Sequence, residues 1–312
     1  LCRFVWHCLT FRPQIIHLQG AQHPALYILL WAMLRLLGSA SFVYTPQDVL
    51  PNSLRPYHIR AFRFLYARMR HVFLNAKQNE PLVVEHFAVP RDRITVLPIA
   101  DLTAFVREHV AGEPPDIPAA SRVVLCFGLI EPRKGIHTLL SAAPEVLRQV
   151  PDALLLIVGK PLMDIAPLQR QLTDLGLQER VRLVPQYVSF AQMAGYFTAA
   201  RLLVLPYENG WNSGVLASAF GFGKPVIATR VGGFDEVVSD ESTGLLVPPK
   251  DPAVLAQAIV RLLRDDVLYA RMVTNVRQAA AEISWEAIAR ITAARYADVV
   301  GIGADCAVSQ AR

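Results

Sequence analysis

A chain of 312 residues, 53% of them apolar, is long enough to bury the cores of two α/β domains. Its net charge of +5 and sequence pI of about 9.1 come without a recognisable nucleic-acid module, which sets nucleic acid aside as a partner. Mean hydropathy is +0.32, yet the apolar stretch Ala25–Leu37 is too short to span a bilayer.

The chain opens at Leu1 without the basic, apolar and cleavage-site pattern of a signal peptide. Cys2, Cys8, Cys126 and Cys306 form no C-x-x-C pair and suit a reducing cytoplasm. Strands are predicted at Gln14–Leu18, Ser41–Thr45, His71–Leu74 and Ile94–Leu97. Arg55, Arg60, Arg63, Arg68 and Arg70 interleave with Phe62, Phe64, Leu65, Tyr66 and Met69. That pattern suits a helix lying on an anionic membrane surface, and equally a core-packing helix with a solvated arginine face. The Pro-rich, acidic run Gly112–Pro118 reads as an interdomain linker. It divides the chain into an N-terminal domain with linker, 1–118, and a C-terminal domain, 119–312.

The second half alternates regularly. Strands are predicted at Val123–Ile130, Ala153–Gly159, Val181–Gln186, Arg201–Pro206, Pro225–Val231 and Gly244–Val247. Helices fill the gaps at Gly135–Val150, Ala166–Leu175, Phe190–Ala199, Ser213–Phe222 and Pro252–Arg264, and Leu268–Glu282 and Trp285–Val299 close the chain. Such βα alternation means a doubly wound parallel sheet.

Two loops in this half carry chemistry. VVLCFGLIEPRKGIH (123–137) sets Arg133 and Lys134 at the carboxyl end of a strand, where open α/β sheets bind ligands. In RLLVLPYENGWNSGVLASAF (201–220) a Gly/Asn/Ser loop opens a helix, and the N–H groups of Ser213, Gly214 and Val215 offer an anion site. Gly232-Gly233 provides a further turn where backbone approaches a ligand closely. No His/Cys/Asp cluster has metal-ligand spacing, no Ser-His-Asp arrangement is legible, and no G-x-G-x-x-G turn follows a strand, which sets a dehydrogenase aside.

These motifs, in order, carry a family resemblance. Gly128 with Arg133-Lys134-Gly135, Leu156–Gly159, Leu205-Pro206-Tyr207, Ser213-Gly214, Gly223-Lys224-Pro225-Val226, Ala228-Thr229, Gly232-Gly233 with Glu236, Thr243–Val247 and Ser284-Trp285 resemble the C-terminal half of glycosyltransferase family 4, the retaining enzymes of GT-B architecture. The likeness runs from Val123 to about Tyr296 and is weaker over the first 100 residues. It implies two Rossmann-like doubly wound parallel-sheet domains facing a central cleft, with a nucleotide-diphosphate sugar on the second and a carbohydrate or lipid-linked glycan acceptor on the first. No metal or other cofactor is expected beyond that co-substrate.

In that reading Lys134, Arg133 and Asp48 serve catalysis. Gly128, Lys134, Glu208, Ser213, Gly214, Val215, Ser218, Gly232 and Gly233 bind donor, and His17, Gln47 and Asp48 lie on the acceptor side. Arg133 also reads as a solvent-exposed neighbour of Lys134, Asp48 as a turn residue, and His17 as an ordinary polar strand end.

The departures are specific. Leu129 stands where the family commonly has Arg, and Gln47 where it has His. The family's two glutamates eight positions apart fall on Gly210 and Ser218. Ser218 would offer the ribose one neutral, weaker bond, so Ser218→Glu would be expected to tighten nucleotide binding; Glu208 is the candidate to compensate at Gly210. The expected function is sugar transfer to a hydroxyl in cell-surface polysaccharide or glycolipid synthesis, in the cytoplasm, with peripheral membrane association as a further expectation. The alternative is a degenerate, non-catalytic GT-B protein that binds a nucleotide or a partner. The missing initiator Met, and a first strand that the family places earlier, imply an N-terminally incomplete copy.

Overall fold

The computed structural model describes residues 2–20, 24–38, 40–47, 49, 57–101, 103, 116–118, 120–210 and 213–301. The chain divides into two compact units, Leu1–Pro98 with Glu286–Arg312, and Ile99–Trp285. Asp48 and most of the expected linker lie outside the described residues.

In the first unit, β1 (Ile15–Gln19), β2 (Ser41–Thr45), β3 (His71–Leu74) and β4 (Ile94–Val96) form a parallel sheet in that order. Each lies within a residue or two of its predicted position. Helices α1 (Cys2–Phe11), α2 (Pro24–Leu37), α3 (His58–Arg68) and α4 (Asn79–Phe87) accompany it. Successive strand side chains point to opposite faces, and both faces are covered. Phe42 and Tyr44 join the main core with Phe62, Leu65 and Tyr66 of α3. Val43 and Phe73 turn the other way, against Ile288, Tyr296 and Val299 of the final helix, α12 (Trp285–Val300). A central strand buried on both faces reads as a continuous apolar run, which is why SFVYT carries no alternation.

The interleaved arginines of α3 thus sit on a core-packing helix. Phe62, Leu65 and Tyr66 are buried inside the unit, and Arg68 stacks on Phe64 with its guanidinium carbon 3.8 Å from the ring centroid. Among the described residues no helix is long and apolar enough to cross a membrane.

Two histidines lie beneath α12. His17 bonds Tyr296 Oη through Nδ1 (2.5 Å) and Thr45 Oγ1 through Nε2 (2.7 Å), and His71 Nε2 bonds Thr95 Oγ1 at 2.8 Å. Burial lowers the pKa of His17. Burial and then the charge of Arg295 push His71 down to about 4, against the pull of Asp298 and Asp92. Unfolded, His71 takes a proton near pH 6.5; folded, it resists until about 4. Stability should therefore fall as pH drops through that window, by at most about 3 kcal/mol for this group. Urea midpoints at pH 7.5 and 4.5 should separate less for His71→Gln than for the wild type.

The second unit is a six-stranded parallel sheet among the described residues, in the order β10-β9-β8-β5-β6-β7. Its strands are β5 (Arg122–Phe127), β6 (Ala153–Val158), β7 (Val181–Val184), β8 (Leu202–Leu205), β9 (Val226–Thr229) and β10 (Gly244–Val247). One face packs on α5 (Ile136–Gln149) and α10 (Pro252–Arg264) through Leu139, Leu155, Ile157 and Ile259. The other packs on α7 (Phe190–Ala199), α8 (Gly214–Gly221) and α11 (Asp266–Glu282) through Leu154, Leu156, Phe197 and Phe220. α6 (Ala166–Asp174) follows β6, and the single turn α9 (Phe234–Val237) follows β9.

Local chemistry sets the helix starts. Asp251 caps α10 by accepting from the N–H groups of Ala253 and Val254, with Pro252 at the first helical position. Ser189 and Gln192 form a capping box on α7. β5 ends at Phe127, earlier than the predicted Ile130, because Gly128 takes a positive φ of 117° that ends the extended run.

Asp101 and Thr103 keep company with this unit, although composition alone groups them with the first domain. Trp285 Nε1 donates to the Asp101 carbonyl at 2.8 Å, and the Asp101 carboxylate accepts from the Thr103 N–H at 2.7 Å.

Candidate functional site

The chain builds β5, β6 and β7 outward in one direction, then returns to lay β8, β9 and β10 on the other side of β5. The strand order therefore reverses between β5 and β8. In open α/β sheets that reversal leaves a crevice at the carboxyl ends, where ligands bind. The two chemistry-bearing loops of the sequence are the ones that leave β5 and β8.

After β5, Gly128 is followed by a short 3₁₀ turn, Pro132–Lys134, and by Gly135 at φ 63°. A Cβ at Gly135 would sit 1.9 Å from the Pro206 carbonyl oxygen. Only glycine lets the β5 loop lie directly against the end of β8. The adjoining Lys134 is buried, and its ammonium rests 3.7 Å from the centroid of the Tyr207 ring. Burial, then the neighbouring Arg133 charge, lowers its pKa to about 8, with Glu131 and Cys126 acting the other way. Cys126, beneath it, is pushed up to about 12 by burial and stays a thiol.

After β8, the buried Tyr207 has its hydroxyl 3.1 Å from Ser213 Oγ, and burial raises its pKa. Ser213 precedes α8 in extended backbone, and its carbonyl accepts from Leu216 and Ala217. The N–H groups of Gly214 and Val215 belong to the first turn, where a helix has no acceptor of its own to offer. Gly128 faces this turn: a Cβ on it would lie 3.3 Å from Val215 Cγ2. The structure thus brings Gly128, Lys134, Ser213, Gly214 and Val215 together, as the motifs imply.

Other candidates lie differently. Arg133 is partly exposed and pairs with Glu131 at 2.6 Å. Its Nη1 lies 3.0 Å from the place a Cβ on Gly210 would take. The guanidinium therefore stands in the room that a side chain at 210 would need. Glu208 is held by two side chains, His137 Nε2 at 2.9 Å and Lys250 Nζ at 3.1 Å. Gly232 takes a φ of 52° in the turn that opens α9, and Gly233 is the N-cap. In the first unit Gln47 is exposed and His17 is half-buried between Tyr296 and Thr45. Among the described residues no group of three His, Cys, Asp or Glu side chains could hold a metal ion.

Ser218 is fully buried and donates to the Gly214 carbonyl at 2.8 Å. Its hydroxyl bonds back along the helix, away from solvent. Ser218→Glu places a carboxylate at that buried position, so the first expected result is a stability loss of about 3 kcal/mol or more, ahead of any gain in nucleotide binding. A denaturant midpoint equal to wild type would show that the side chain reaches solvent.

Sequence reasoning missed the roles of Tyr207, His137 and Lys250. His137 had a legible signal, one helical turn after Lys134. The Tyr207 and Lys250 contacts join different strand ends and carry no local mark.

Residues 121–265 match the family model described as "Glycosyl transferases group 1". Over 174 residues the chain is 38% identical to a phosphatidyl-myo-inositol mannosyltransferase of Mycobacterium leprae, covering 55% of this chain and 45% of that protein. Over 236 residues it is 30% identical to a D-inositol 3-phosphate glycosyltransferase of Corynebacterium efficiens, covering 72% and 55% respectively. The chain spans about half the length of the curated relatives it matches.

Among solved structures, sucrose-phosphate synthase from Thermosynechococcus elongatus superposes with a TM-score of 0.72 at 24% identity, over 96% of this chain and 78% of that one. Anabaena HepE in complex with UDP gives 0.78 at 20% identity, over 95% and 81%. These two share the fold, a pair of parallel-sheet α/β units of GT-B type. Residues 121–265 of the chain are thus similar to the glycosyl transferases group 1 family.

Proposed function

We propose that the protein transfers a sugar, with retention at the anomeric carbon, from a nucleoside-diphosphate sugar to a hydroxyl acceptor. The carrying observation is the buried Lys134 ammonium beside the opening turn of α8, at the point where the strand order reverses. Breaking the sugar–phosphate bond puts charge on the departing diphosphate. Fixed positive charge aimed there lowers the barrier more than it tightens ground-state binding. Lys134 supplies a full charge in a partly dry site, and the first-turn N–H groups of α8 add about 0.3–2 kcal/mol. In this reading the site needs no metal.

The names of the relatives point to an inositol phosphate or a phosphatidylinositol-type glycolipid as the acceptor class. That suits a role in cell-surface glycan or glycolipid assembly, in the cytoplasm or at the inner membrane face.

A panel of UDP- and GDP-sugars, with inositol phosphates and lipid-linked glycans as acceptors, tests the reading by released nucleotide. In a crystal with UDP or GDP, the diphosphate should bond the N–H groups of Ser213, Gly214 and Val215; density elsewhere would reject that assignment. The second reading, nucleotide binding without transfer, is favoured by the lack of acidic residues at Gly210 and Ser218. It predicts calorimetric nucleotide binding with no turnover for any donor.

A further inference from the structure

Two acids of the loops after β5 and β8 are committed to other partners: Glu131 pairs with Arg133, and Glu208 with His137 and Lys250. What meets the Lys134 ammonium is the face of Tyr207, 3.7 Å away. The difference matters chemically. A carboxylate would hold the lysine firmly but cancel the charge that a diphosphate must find. An aromatic face attracts the ammonium through its quadrupole and leaves the full charge available.

Tyr207 is itself well anchored. It is buried, its ring packs on Phe234 at 5.1 Å between centroids, and its carbonyl accepts from Thr229 Oγ1 at 2.6 Å. Its hydroxyl reaches Ser213 Oγ, one residue before α8 begins. One side chain therefore touches the cation of the β5 loop with its face and the head of α8 with its edge.

We propose that Tyr207 is the positioning residue for Lys134: its ring clamps the ammonium without neutralising it, and its bond to Ser213 holds that clamp in register with the opening turn of α8. A single anion then meets the cation and the N–H groups together. The inference rests on the reading of this site as a diphosphate site. The groups facing the Lys134 amine are Arg133, Glu131, Cys126 and Tyr207, and only Tyr207 changes in the test.

The test replaces the ring without changing its shape. Tyr207→Phe is followed by mono-, di- and trifluorinated phenylalanine at the same position, each fluorine draining electron density from the ring face. Acetylation of Lys134 by acetic anhydride, followed across pH by peptide mass spectrometry, reads the amine directly and needs no turnover. The expected result is a midpoint that steps to lower pH with each fluorine. Donor turnover should fall by about tenfold in total across the series, with KM changed far less. Ser213→Ala should lower turnover while leaving the acetylation midpoint of Lys134 in place, because the ring remains.

An acetylation midpoint that stays constant from Tyr207→Phe to the trifluorinated variant, with denaturant midpoints also constant, overturns the proposal: the ring then only packs. A stepped midpoint in a protein that binds neither UDP nor GDP upholds the clamp and rejects the transferase reading.

Discussion

Lys134→Ala is expected to cut kcat by roughly 10²–10³-fold while changing donor affinity much less, the loss typical of removing one preorganised group that stabilises developing negative charge. Stopped assays of released nucleotide, paired with calorimetry using UDP and GDP, separate the two effects. The wild-type protein should also lose kcat/KM as pH rises through about 8, where burial and Arg133 bring the free Lys134 amine to its midpoint. Folding should not suffer in the variant. Burying an ammonium opposes the native state, and the Tyr207 ring offsets only part of that cost, so Lys134→Met should be about as stable as wild type while losing turnover as Lys134→Ala does. If Lys134→Ala retains near wild-type transfer, this lysine does not stabilise the leaving group.

Gly135→Ala should act on the same loop through the backbone. The new Cβ would stand 1.9 Å from the Pro206 carbonyl oxygen, and the residue would have to hold a φ of 63°. Backbone atoms cannot yield as a flexible side-chain tip does, so either the 3₁₀ turn or the end of β8 must move. A loss of about 3 kcal/mol or more is expected, with turnover falling as Lys134 is carried off the Tyr207 ring. Urea unfolding and donor turnover on the one variant check both parts. A variant of normal stability would mean that the two loops are not pressed together as described.

The alternation of the second half was legible because each strand is a short β-branched or leucine run bounded by turn residues. Every predicted strand there lies within a few residues of an observed one. The ends were less legible, because single glycines such as Gly128 end a strand by dihedral angle rather than by polarity. Arg133-Lys134-Gly135 and Ser213-Gly214 marked the candidate site by residue type, as cations and small polar residues in two loops of one sheet.

Ser218 could not be oriented from sequence: α8 is apolar on nearly every side, so no face marks the core. The environment of Lys134 was equally hidden, because the ring that holds it arrives from another strand. α1 was missed outright, its mixed aromatic run CRFVWHCLTF fitting neither period cleanly. The basic stretch of α3 left two readings open, and the burial of Phe62, Leu65 and Tyr66 shows the core-packing face of that helix.

The last helix makes the first unit discontinuous in sequence. Ile288, Tyr296 and Val299 cover Val43, Phe73 and Leu97, so a sheet coded near the start of the chain is completed by residues coded near its end. During synthesis that sheet must wait, one face bare, until the whole second unit has left the ribosome. A cut near residue 285 would accordingly spare the unit it adjoins in sequence and harm the distant one, so the order of damage along the chain is the reverse of what proximity suggests.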